Sequence, residues 1–221
     1  MKQTFLFLLV FGFITLKAQS TAVLPSSSAI AVDTKGEALR NYYLSLDVEN
    51  LWLAGSHVKW QTGEADKPDA TSGIKTHCSA FVAAACKGLN IYILRPPEHK
   101  HILLANAQYS WLSTEAAMNA GWKPVEFKRS IYDAAQTLAN RGYVVIAIFK
   151  NDDDKKPEHI ALIMPEEMTF EKIEKSGPTM IQAGQKNYNK VSLKTGFKYH
   201  LEGAWPENVV AFYYNTNSDH N

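Results

Sequence analysis

Apolar and polar residues change rhythm near the middle of this chain. Between Cys78 and Leu89 the apolar positions Cys78, Phe81, Val82, Ala85, Cys86 and Leu89 fall at i, i+3, i+4, i+7, i+8 and i+11. That single stripe predicts an amphipathic helix, with Thr76 as its N-cap and Gly88 at the C′ position. Upstream, Leu39, Tyr42, Tyr43 and Leu46 keep helical spacing behind TKGE, a capping box with Thr34 as N-cap and Glu37 three residues on. Further helices are expected over residues 103–112, from Ser113 or Thr114 to Gly121, and from Ser130, with Asp133 in a capping arrangement, to Asn140. Beyond Gly142 the pattern shortens into β-rich runs separated by polar turns: YVVIAIF (143–149), HIALIM (159–164), TMIQA (179–183) and VVAFYY (209–214). These read as strands of one largely antiparallel sheet. Helices first and strands afterwards is the α+β order, with the N-terminal helices packed on one side of the sheet.

The N-terminal pattern is of another kind. Lys2, the apolar run from Phe5 to Leu16 and the small and polar residues KAQS read as a secretory signal peptide over residues 1–19. The serine-rich stretch up to residue 33 reads as a flexible lead-in, and residues 34–221 as a single domain. The apolar run is too short to span a bilayer, which needs about 20 residues. The nearest cysteine to the cleavage site is Cys78, which argues against a lipid anchor. The expected product is secreted or periplasmic, without a membrane anchor, and a monomer. A hydrophobic content of 46% suits one substantial core. A net charge of +1, from 23 basic and 22 acidic residues, gives no basic stripe for nucleic acid. No internal repeat and no cofactor motif is visible. His99 and His101 lack the further ligands a metal site needs, so no metal is expected.

Chemistry concentrates around the two cysteines. Eight residues of helix rise by about 12 Å, whereas a disulfide needs Cα atoms within about 7 Å, so Cys78 and Cys86 are not expected to pair. Cys86, among Ala83, Ala84 and Ala85, reads as a small core hydrophobe. Cys78 lies in the first helical turn, where unpaired N–H groups and the helix dipole lower a thiol pKa and supply a nucleophile; alternatively it merely begins the apolar stripe. His159 opens a strand directly after the polar NDDDKKPE and is placed either as a base for the thiol or as an ordinary strand-end histidine. Gln182 sits among apolar neighbours. If its strand pairs with that of His159, it can accept from the imidazole N–H and fix the tautomer; Gln185, Asn187 and Asn189 are nearby substitutes.

The order CSAFV, GYVVIAIF, HIALIM, MIQAG resembles the NlpC/P60 and CHAP group of papain-like cysteine peptidases and amidases, over elements from Trp52 to Tyr214. The resemblance implies a papain-like NlpC/P60-type α+β fold, with Cys78 as nucleophile, His159 as base and Gln182 as third member. Trp60 in VKWQTG matches the aromatic residue such enzymes carry upstream of the cysteine. His77, beside the nucleophile, would assist the oxyanion, contact substrate, or face solvent. The chain departs from the common DCSGFV at His77 and Ala80, and carries Glu158 where a glycine usually precedes the histidine. The activity implied is a secreted cysteine hydrolase cleaving amide bonds of peptidoglycan stem peptides, as endopeptidase or amidase, with no cofactor and with peptidoglycan or a peptide as its partner. Two alternatives share these residues: an acyltransferase working through the same thioester, and a catalytically silent module that binds wall peptides or a protein.

Overall fold

Local capping decides where the helices begin. The computed structural model describes residues 29–67, 76–151, 153, 156, 158–200 and 210–220; the expected signal peptide and residues 20–28 of the lead-in lie outside them. Helix α1 (Thr34–Ser45) is capped by Asp33, whose carboxylate accepts from Gly36 N at 2.9 Å. The cap therefore lies one residue before the expected Thr34, because Asp33 holds the extended backbone of an N-cap while Thr34 is already helical. Helix α2 (Cys78–Gly88) starts from His77, not Thr76, and no side chain caps it. Helices α3 (Leu104–Leu112) and α4 (Glu115–Asn119) follow, the latter capped by Thr114. Ser130 caps α5 (Ile131–Asn140), accepting from Tyr132 N and Asp133 N.

Gly88 also differs from expectation. It ends α2 instead of following it, and the left-handed residue is Asn90, at φ 57°. The glycine is required by a close approach. A Cβ at residue 88 would collide with the Tyr42 hydroxyl, which donates to Ala85 O at 2.9 Å and ties α1 to α2.

Among the described residues six strands form one antiparallel sheet: β2 (Trp122–Pro124), β3 (Val144–Phe149), β4 (His159–Ile163), β6 (Thr179–Gln182), β7 (Tyr188–Ser192) and β8 (Val210–Asn215), in the order β2-β8-β3-β4-β6-β7. Strand β5 (Met168–Thr169), helix α6 (Phe170–Ser176) and the single turn α7 (Leu193–Gly196) lie in the connections. The α+β class and the antiparallel sheet agree with the sequence pattern, but the helices are not confined to one side. Ile146, Ile148, Ile160, Leu162 and Ile181 pack with α1–α4 in one apolar layer, whereas Val145, Ala147, Ala161, Ile163 and Met180 pack with α5, α6 and α7 in a second. The reason is visible in β3 and β4, whose residues are all buried: VVIAIF and HIALI are continuous apolar runs, the mark of a strand covered on both faces.

The lead-in also ends earlier than residue 33. Strand β1 (Ala29–Ile30) pairs with β5, and Asn140 Nδ2 donates to Ile30 O at 2.9 Å and Ala31 O at 3.3 Å. Among the described residues no helix is long and apolar enough to cross a membrane.

Gly88→Ala is expected to destabilise the protein by about 1–2 kcal/mol, although alanine is ordinarily the better helix residue. In the Tyr42→Phe background the cost of the same change is expected to shrink but not vanish, because the ring Cζ would still lie 3.0 Å from the new Cβ. Urea unfolding of the four members of this double-mutant cycle checks both statements.

Candidate active site

Strand pairing brings two of the expected residues together. His159 and Gln182 begin β4 and end β6, neighbouring antiparallel strands. Both side chains share the parity of Ala161, Ile163 and Met180, on the layer of α5, α6 and α7. The Nε2–H of His159 donates to Gln182 Oε1 at 3.1 Å, and the Gln182 amide is itself oriented by donating from Nε2 to Lys186 O at 3.3 Å. An amide oxygen accepts only, so this contact fixes the Nε2–H tautomer and leaves Nδ1 with its lone pair. Of the nearby substitutes, Asn187 is occupied elsewhere: its Nδ2 donates to Val48 O and Leu51 O at 2.7 and 2.8 Å, and its Oδ1 accepts from Gly184 N.

The imidazole is also held by rings. Phe197 meets it edge-on with centroids 4.7 Å apart, and His200 lies parallel to it at 5.1 Å and 4°. Burial, the neighbouring His200 and, in the opposite sense, the Gln182 hydrogen bond bring the His159 pKa down to about 4. The imidazole is neutral at ordinary pH.

Cys78 reaches the same strand from the opposite layer. The backbone N–H groups of Ile160, one residue from His159, and of Ser79 and Cys78 itself act on its thiol. These donors favour a thiolate, but burial raises the thiol pKa by more. The direction is thus opposite to that expected from the helix dipole alone, because only 6% of Cys78 remains accessible. The resting pair is a thiol and a neutral imidazole, and no direct hydrogen bond between them is present. Cys86 is buried and unpaired.

Two expected contacts lie elsewhere. Trp60 is 8% exposed and packs at the far end of α2, with Lys87 Nζ 5.3 Å from its ring centroid. Lys87 is nine residues beyond Cys78, about 13 Å of helix rise, and Trp60 is not among the residues that line the cavity beside His159. The match in VKWQTG was one of sequence distance, and the fold spends that ring on the core. His77 neither faces solvent nor lines the cleft: it is 2% exposed, and its Nε2–H donates to Ser56 O at 2.8 Å, fastening the segment before Val58 to the start of α2. With its ring turned to that carbonyl, His77 does not cap the first turn of α2.

A cavity of about 540 Å³ opens beside the imidazole, lined by Thr76, Glu158, His159, Gln182, Gly184 and Gly196 together with residues of the 185–200 segment. A larger one, about 800 Å³, lies around Lys123, Arg129 and Asp133 and touches none of the residues above. Several supports of the first cavity carry no sequence signal. Asn106 on α3 donates to Lys156 O at 3.0 Å and accepts from Glu158 N at 3.1 Å, clamping the approach to His159. Gly196 leaves room for Gln182 Oε1, which would lie 2.6 Å from a Cβ there. The family-like motif points to neither, since both act through backbone carbonyls or by absence of a side chain.

No protein-family model matches the chain, and a search of curated proteins returns no match.

The His159 Cε1–H resonance is expected to titrate near pH 4; His200→Ala raises that midpoint and Gln182→Ala lowers it, as NMR titration will read. Linkage has a fixed sign here. The folded pKa lies below the unfolded value of about 6.5, so the contribution of His159 is full above about 6.5 and is lost as pH falls toward 4, roughly 3 kcal/mol in all. Urea unfolding at points across that window measures it.

Proposed function

We propose that this chain is a papain-like cysteine hydrolase of the NlpC/P60 and CHAP type, acting on amide bonds of peptidoglycan stem peptides outside the cytoplasm. The observation that carries the reading is the His159 Nε2–H to Gln182 Oε1 hydrogen bond, set one residue from the strand N–H that acts on the Cys78 thiol. A buried imidazole whose tautomer is fixed, with its bare nitrogen left for a proton, is what a thiol nucleophile needs from its base. The substrate class follows from the family resemblance of CSAFV and HIALIM.

In the proposed reaction the Cys78 sulfur attacks the amide carbonyl carbon while its proton passes to His159 Nδ1. Because both groups are neutral at rest, this transfer accompanies attack and no ion pair precedes it. The new oxyanion is met by backbone N–H groups at the uncapped start of α2. The imidazolium, steadied by Gln182, then protonates the leaving amine nitrogen as the C–N bond breaks, giving a thioester and a free amine. Water attacks the thioester carbonyl, gives its proton to His159, and the tetrahedral adduct collapses to a carboxylic acid and the Cys78 thiol. An amine in place of that water would make the same thioester an acyl donor.

Digestion of purified peptidoglycan followed by mass analysis tests the reading. Wild type is expected to release stem-peptide fragments and Cys78→Ala none, with Gln182→Ala lowering kcat by about 10- to 100-fold. The acid limb of kcat/KM should fall near pH 4 to 5, because His159 serves as base only when neutral. Equal fragment release by wild type and Cys78→Ala sinks the proposal. Binding of wall peptides without cleavage by either would identify a silent module instead.

A further inference from the structure

The cavity beside His159 has an unequal charge on its walls. Lys186 and Lys198 both line it, and neither forms an ion pair with a described carboxylate. Each ammonium is instead seated over an aromatic ring, Lys186 Nζ 5.1 Å from the Tyr188 centroid and Lys198 Nζ 4.6 Å from that of Tyr199. Such seats limit where a flexible side chain carries its charge. Among the described residues of the lining the acid is Glu158, next to His159 and 5% exposed, so their accessible rim is cationic while the acid lies at the buried side.

We propose that this rim is a carboxylate subsite: Lys186 and Lys198 together hold a free carboxylate on the peptide whose amide bond lies at Cys78 and His159. The inference rests on the hydrolase reading and deepens it by naming what the substrate carries beside the scissile bond. Two lysines lining one cavity are matched by an anion that brings several acceptor oxygens. The polar lining supplies further donors at its edge, from Thr195 and the amide of Gln185. A volume of about 540 Å³ takes a short peptide segment together with that group. Because the lysines are exposed, their contribution lies in binding and orientation and falls with salt.

The test uses the full chain carrying Cys78→Ala, so that bound peptide is not consumed, and two probes: an acetylated stem peptide with its carboxylates free, and the same peptide with each carboxylate converted to an amide. Calorimetry at low ionic strength is expected to find the free acid bound about tenfold more tightly, a preference that shrinks in about 0.5 M salt. Lys186→Gln and Lys198→Gln should each weaken the free acid by about three- to fivefold and leave the amide unchanged. Equal affinity for the two probes, no binding of either, or an unchanged preference in the double variant overturns the subsite. Selective binding of the free acid by Cys78→Ala, with no cleavage by wild type, keeps the subsite and removes the hydrolase reading. Cleavage of both peptides with equal kcat/KM by wild type does the reverse.

Discussion

Strand β4 lies between α2 on one face and α5 on the other, so its side chains alternate between two dry layers and its backbone polar groups must be satisfied within the protein. Its ladder with β6 ends at Leu162↔Ile181, short of the first residues of the strand. Beyond that point backbone groups are available to other partners, and the Ile160 N–H acts on the Cys78 thiol. The same ending places His159 at the mouth of the sheet, where its ring stays on the layer of Ala161 and Ile163 and packs on Phe197 and His200. Cys78 and His159 thus come to one strand from its opposite faces.

Electrostatics at that meeting point is a contest between burial and oriented donors. At Cys78 three N–H groups oppose desolvation and lose; at His159 one amide oxygen opposes desolvation and a neighbouring imidazole, and also loses. Both outcomes favour the uncharged form. Dryness therefore keeps the two groups as thiol and neutral imidazole.

The sequence pattern made some of this legible and left other parts hidden, for identifiable reasons. The apolar stripe from Cys78 located α2 within a residue, and Ser130 located α5, because caps and helical periodicity are local. The runs VVIAIF and HIALI announced strands, yet their two-sided burial was readable only from the lack of alternation, a weaker sign. Edge strands escaped notice: YNKVS in β7 buries only Val191, and β2 contains Pro124. Within the site, His159 and Gln182 were legible as polar residues in apolar strands. Asn106 was not, because its work is done on the backbone of residues about fifty positions away. Trp60 shows the converse, an aromatic residue at a suggestive distance along the chain that the fold directs into the core.

Gly196 and Gln182 constrain one another's shapes. The amide oxygen that the His159 Nε2–H meets occupies the space where any other residue at 196 would put its first carbon, and the end of the Met180 side chain lies equally close. A side chain at 196 is therefore accommodated only when both of those flexible ends move, and the glycine keeps the amide where the imidazole finds it.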